Sequence, residues 1–75
     1  MTEAKNDRCE LTGVTFKQHW DGEDNSYLIA YGTVVSDPKG RFYVGDNIHT
    51  SIVKEVHIGL SENWFQTLNT KYYIV

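Results

Sequence analysis

Between residues 9 and 75 apolar and polar positions alternate with the period of two that a half-buried strand requires, and turn formers interrupt the alternation at short intervals. Thr12, Val14 and Phe16 alternate with Gly13, Thr15 and Lys17, which predicts a first strand with one buried face. The run Asp21-Gly22-Glu23-Asp24-Asn25-Ser26 then breaks the chain. Residues 27–36 form the most hydrophobic segment. Tyr27, Ile29, Tyr31, Thr33 and Val35 share one face there, and Leu28, Ala30, Gly32 and Val34 the other. Two apolar faces predict a central strand or one enclosed by a curled sheet, with Gly32 as the bulge or bend that allows the curl.

Asp37-Pro38-Lys39-Gly40 is a strong β-turn signal, because Pro presets φ at the second position and Gly stands fourth. A short strand is expected over residues 41–44, a tight turn at Gly45-Asp46-Asn47, and a long strand over residues 48–58. In that strand Ile48, Thr50, Ile52, Lys54, Val56 and Ile58 alternate, and Lys54 marks either a bulge or the point where the strand leaves the core. Residues 59–63 predict a turn or a single helical turn capped by Ser61. Residues 64–67 and 71–75 predict a final hairpin across Leu68-Asn69-Thr70. The fold class is therefore all-β: a small antiparallel barrel or strongly bent sheet of five to six short strands, SH3-like or OB-like. Residues 1–8 lack periodicity and read as a flexible N-terminus, and residues 9–75 as a single domain.

Composition narrows the functional classes. Hydrophobic residues make up 40% of the 75, too many for a disordered chain, while no run is apolar enough for a membrane span. Cys9 is the lone cysteine, which excludes an internal disulfide, and residues 1–10 contain no apolar leader segment. The expectation is a cytoplasmic protein. The net charge of −3, with the cations scattered rather than clustered, weighs against general nucleic-acid binding.

Candidate chemistry is sparse. His19, His49 and His57 offer no close pair; the last two stand eight residues apart on one predicted strand, roughly 26 Å by strand rise, so no metal site is expected. Asp21, Glu23 and Asn25 sit at the spacing of a calcium loop. The sixth position is Ser26 instead of Gly, and the twelfth is Gly32 instead of Glu. Cys9 has no neighbouring base, and neither a nucleophile elbow nor a phosphate-binding glycine loop occurs. The reading is a non-enzyme without cofactors.

Aromatics, at 13% of the chain, are the exception to this sparseness. Neighbours on a strand point to opposite faces, so one residue of Phe42-Tyr43 and one of Tyr72-Tyr73 must lie outside the core or at an interface. Tyr and Trp at a surface favour protein recognition. The expected protein-binding residues are Asp21, Glu23 and Asp24 in the acidic turn, with Phe42, Tyr43, Tyr72 and Tyr73. The segment Tyr72-Tyr73-Ile74-Val75 is an uncharged, β-prone end apart from its carboxylate, and it predicts an edge strand able to pair with a second copy as a homodimer or with a partner.

Gly32–Val35, Gly40–Phe42, Gly45, Ile48-His-Thr-Ser-Ile52 and Thr67-Leu-Asn-Thr-Lys-Tyr72 form a pattern that resembles small proteins encoded by bacteriophages and prophages. The resemblance covers about the last 44 residues, and such proteins offer no catalytic residue to carry over. It implies a phage accessory protein that binds and modulates or inhibits a host protein, such as a component of a CRISPR defence system. The alternatives are a small barrel binding a nucleotide or single-stranded nucleic acid through Lys39, Arg41, Lys54 and Lys71, or a structural oligomerisation module.

Overall fold

The computed structural model describes residues 8–75, and the reading of residues 1–8 as flexible falls outside it except at Arg8. Five strands follow one another: β1 (Cys9–Asp21), β2 (Asn25–Ser36), β3 (Asn47–Ile58), β4 (Asn63–Thr67) and β5 (Lys71–Ile74). They close into a barrel in consecutive order, β5 returning to β1. Neighbours are antiparallel except at the closure, where β5 runs parallel to β1 through Cys9↔Tyr72, Glu10↔Tyr73 and Leu11↔Ile74. The described residues contain no helix; Gly59 donates its N–H to the Glu62 carbonyl and to Asn63 Oδ1, making the β3–β4 connection a turn. The all-β expectation holds.

The barrel interior is small. Cys9, Leu11, Ala30, Val34, Phe65 and Tyr72 are buried, with Val14, Phe16, Phe42, Ile48, Val53 and Ile74 packed against them. Phe65 lies at the centre, its ring edge-on to Phe16 at 5.4 Å and stacked on Tyr72 at 5.1 Å. Full burial of such a ring contributes about 1.5–3 kcal/mol, a large share for a domain of this size.

Bulges set which residues reach that interior. In β1 the pairs Thr12↔Thr33 and Thr15↔Tyr31 leave Gly13 and Val14 together opposite Gly32. Gly13 carries the extra residue at φ 64, a conformation that glycine adopts without steric cost. Gly32 is therefore not itself the bulge. It is the flat spot beneath one: a Cβ there would meet Val14 Cγ2 at 3.2 Å and Thr12 O at 3.3 Å. The bulge also reverses the parity of β1, so Leu11 and Phe16 face inward while Thr12 is exposed and donates its hydroxyl to the Val75 carbonyl at 2.9 Å.

Two further irregularities break the simple alternation expected of β3. One lies opposite Ala30, between the pairs Ile29↔Ile52 and Tyr31↔His49, and turns Ile52 outward. The other is at Lys54, between Val53↔Thr67 and Glu55↔Gln66, as the isolated lysine in an apolar stripe foretold. Beyond it Val56, opposite buried Phe65, and Ile58 continue the inward side.

The segment expected as a strand at residues 41–44 is a loop. Asp37 diverts it: its carboxylate accepts the backbone N–H groups of Lys39, Arg41 and Phe42, the last two at 2.8 and 2.9 Å, leaving them unable to join a ladder. The chain regains pairing where Val34 exchanges hydrogen bonds with Gly45 and Asp46, at 2.8 Å each. Nor is the C-terminal strand an edge. β5 is paired on both sides, to β4 and to β1, and the Val75 N–H is donated to the Leu11 carbonyl at 2.9 Å.

Candidate protein-docking surface

The barrel is closed at one end and split at the other. β2 and β3 part company after the pair Leu28↔Val53, while β1 and β2 stay paired out to Asp21↔Asn25, and β3 and β4 out to Ile58↔Asn63. The two hairpins therefore diverge, the β1–β2 hairpin as a free arm and the β3–β4 hairpin as an arm whose other side stays paired to β5 out to Trp64↔Tyr73. β5 ends opposite the early part of β1, its last ladder partner there being Leu11, so β1 from Val14 to Asp21 pairs with β2 alone. The backbone groups along that side of β1 have no ladder partner among the described strands, which makes this half of β1 the free edge that β5 is not.

Each arm carries the inward side of the barrel beyond the closed part. In the first arm Phe16, opposite buried Ala30, fixes that side, and Gln18 with Leu28 and then Trp20 with Ser26 follow on it. In the second arm Phe65 fixes it, and Val56, then Ile58 with Asn63, follow. The barrel has no further layer to cover these positions: Trp20 is 61% and Ile58 67% exposed, and Leu60 in the β3–β4 turn is fully exposed. Each arm thus carries exposed apolar side chains, and an apolar patch of this kind on a folded monomer marks an interaction surface.

The turn that tips the first arm holds Gly22, with φ 83, and the exposed carboxylates Asp21, Glu23 and Asp24. Glu62, in the turn of the second arm, adds another, with Arg8 Nη1 3.8 Å from it. The tip of the first arm thereby joins an apolar side to an acidic turn, while Glu62 lies beside Arg8 at the start of β1.

The residues expected to make contact are not brought together. The acidic turn is at the split end, whereas Phe42 and Tyr43 belong to the β2–β3 loop at the opposite end of the strands. Tyr43 is 82% exposed, but Phe42 packs against the core. Tyr72 is buried, its ring on Phe65 and its hydroxyl accepting from Arg41 Nη2 at 3.4 Å, so it is withdrawn from any contact surface. Tyr73 faces outward under the Arg8 guanidinium, 4.1 Å from its ring centroid. In both Phe42-Tyr43 and Tyr72-Tyr73 one ring is in and one out; strand alternation does this at Tyr72-Tyr73, whereas Phe42-Tyr43 lie in a loop. Trp20, Leu28, Val56, Ile58 and Leu60 were not anticipated; their signal was an apolar alternation that outlasts the length of the neighbouring strands.

A polar cluster closes the other end. The Cys9 thiol donates to Asp37 Oδ1 at 3.5 Å, Arg41 reaches Asp37 Oδ1 at 3.7 Å, and both Arg41 and Lys39 donate to Thr70 Oγ1. Burial pushes the Cys9 thiol up, and hydrogen bonding to the Asp37 carboxylate pushes it further. Burial also pushes Asp37 up, but the N–H groups of Phe42 and Arg41, the Cys9 thiol and the Arg41 charge outweigh it, so the carboxyl lies below its ordinary value. A thiol held protonated against a carboxylate is a tie between β1 and the β2–β3 loop, not a nucleophile.

Among the described residues no three His, Cys, Asp or Glu side chains gather as a metal ion would require. Among the described residues no helix is long and apolar enough to cross a membrane, which says nothing of β-barrels, which cross with strands. No family model, curated protein or solved structure matches the chain.

Proposed function

We propose that this protein is a non-enzymatic binding module that docks on a host protein in the bacterial cytoplasm and modulates it, as an accessory protein of a phage or prophage. The observation that carries the reading is the first arm, where Trp20 and Leu28 stand exposed beside the acidic turn of Asp21, Glu23 and Asp24, with Val56, Ile58 and Leu60 exposed on the second. Exposed Trp with aliphatic residues is the composition of an interface centre, and a cluster of one charge beside it sets the orientation and rate of approach. The partner that fits is a protein presenting an apolar ridge bordered by Lys and Arg. The phage context rests on the resemblance of the C-terminal residues, and inhibition of a defence complex is one form such docking takes.

The test is capture from bacterial lysate with tagged protein, with and without nuclease, for the parent chain and for Trp20→Ala, Ile58→Ser and the triple change Asp21→Ala, Glu23→Ala, Asp24→Ala. The expected result is a stoichiometric, nuclease-resistant partner that all three variants lose or weaken while Tyr43→Ala retains it. A partner held equally by every arm variant would refute the docking surface. A partner set that vanishes with nuclease would transfer the function to nucleic acid.

A further inference from the structure

A second surface, on the outer face of β1, β2 and β3, carries different chemistry from the acidic arms. Tyr31 stands between His19 and His49, with ring centroids 6.3 and 5.9 Å away, and its hydroxyl is 3.2 Å from His19 Nε2. The Lys17 ammonium sits 5.6 Å from the centre of the same ring. Beside Tyr31 and His49 lies an open cleft of about 330 Å³, with Gly13, Gly32, Thr33, Asn47 and Ile48 completing its lining. That volume is at the lower end of the range for small-ligand sites, roughly 300–1,000 Å³.

The construction of the cleft is specific. The β1 bulge gives it a glycine floor, and nothing lies within 4 Å of the position a Gly13 Cβ would take. On one side stand the phenol of Tyr31 and the imidazole of His49. On the other, the Thr33 hydroxyl donates to Asn47 Oδ1 at 2.7 Å. That bond fixes the carboxamide and leaves both Nδ2 hydrogens for an outside acceptor. The His49 ring nitrogens make no hydrogen bond among the described residues. No carboxylate lines the cleft, and the nearby cation is Lys17.

π-faces, unspent donors and a cation, with no competing acceptor of negative charge, select a planar ring that bears acceptors and an anionic group. We infer that this cleft is a binding site for a nucleotide unit, its base against Tyr31 and His49 and its phosphate toward Lys17. The unit is either a free nucleotide or one residue of a single strand, since the chemistry presented to the cleft is the same. The set differs from Lys39, Arg41, Lys54 and Lys71, of which none lines this cleft. The inference is independent of the docking surface on the arms.

The experiment is an amide NMR titration of the full chain at low salt, with adenosine monophosphate in one arm and an oligothymidylate in the other. Saturable shifts are expected at Gly13, Gly32 and the Asn47 side-chain amide. His49→Ala and Asn47→Ala should each weaken binding by about fivefold or more, the loss of one hydrogen bond or ring contact, with unchanged thermal midpoint. Saturation by the mononucleotide assigns a free nucleotide, and saturation by the oligonucleotide alone assigns a single strand. Absence of shifts at the cleft with both probes, or binding that survives both substitutions, overturns the inference.

Discussion

The Asp37 carboxylate accepts the backbone N–H of Phe42 at 2.9 Å, and this bond ends β2 and turns the following loop back over the barrel. The same carboxylate holds the N–H groups of Lys39 and Arg41 and the Cys9 thiol. One side chain thereby satisfies several donors that would otherwise be left without a partner at the closed end.

Asp37→Ala should accordingly destabilise the domain by about 2–3 kcal/mol, since it leaves several donors unpaired in a partly buried site. Urea unfolding followed by tryptophan fluorescence measures this. Asp46→Ala, which removes an exposed acceptor for the Tyr43 N–H at 3.0 Å, should cost less than Asp37→Ala.

Asp37 also gives stability a pH dependence with a defined sign. Its folded carboxyl titrates below the ordinary value of about 3.9 that it regains on unfolding. The stabilisation is therefore present above that value and is lost as pH falls through the lower, folded value. The urea midpoint should drop as the solution is taken from about pH 5 toward pH 2, and Asp37→Asn should flatten that drop.

Cys9 should be inert in the native state. Its thiol is buried, raised in pKa and engaged with Asp37. Alkylation by iodoacetamide at neutral pH should run about a hundredfold slower in the folded protein than in denaturant, because the thiolate is the reactive form. Labelling at the denatured rate in the native protein would show that the cluster does not form as described.

Two glycines should respond to alanine for opposite reasons. Gly13→Ala has open space but adopts φ 64, and backbone strain should cost about 1 kcal/mol. Gly32→Ala has ordinary φ but crowds Val14, Leu11 and the Thr12 carbonyl at 3.2–3.3 Å, and should cost about 1–3 kcal/mol by overpacking. Pairing Gly32→Ala with Val14→Ala, which removes the nearest atom, should recover part of the loss in a double-mutant cycle; strict additivity would place the clash elsewhere.

Phe65→Ala should be the most damaging single change. Removing a ring packed between Phe16 and Tyr72 costs about 3–5 kcal/mol. The whole stability of a domain this size is about 4–11 kcal/mol. Circular dichroism and amide dispersion should show a largely unfolded or marginal protein, whereas Trp20→Ala should leave both unchanged.

The acidic turn at Asp21–Ser26 and the β-turn at Asp37–Gly40, closed by the Gly40 N–H on the Asp37 carbonyl at 2.9 Å, were legible in the chain because short-range backbone preferences decide them. Lys54 announced its bulge because a charge cannot keep the inward parity of Ile48 and Val56. The loop at Arg41–Val44 was misread as a strand because its β-prone residues gave no hint that a single upstream carboxylate would take their N–H groups. Of the candidate docking surface, the acidic turn was visible and the apolar arms were not. Exposure of Trp20 and Ile58 follows from the length of neighbouring strands, a property no local pattern contains.

By itself the sequence determined an all-β domain of five to six short strands and most of the places where it turns. β-Branched and aromatic residues, glycines and the single proline restrict φ and ψ locally, wherever the rest of the chain goes. Tertiary structure alone decided the closure of the ring, with β5 lying parallel beside β1. It also decided the register shift at Gly13, which exchanges Thr12 for Leu11 as the inward residue, and the splitting of the barrel into two arms. Those outcomes depend on which distant strand offers a hydrogen-bonding edge and where it ends, so they exist only once the whole sheet has formed.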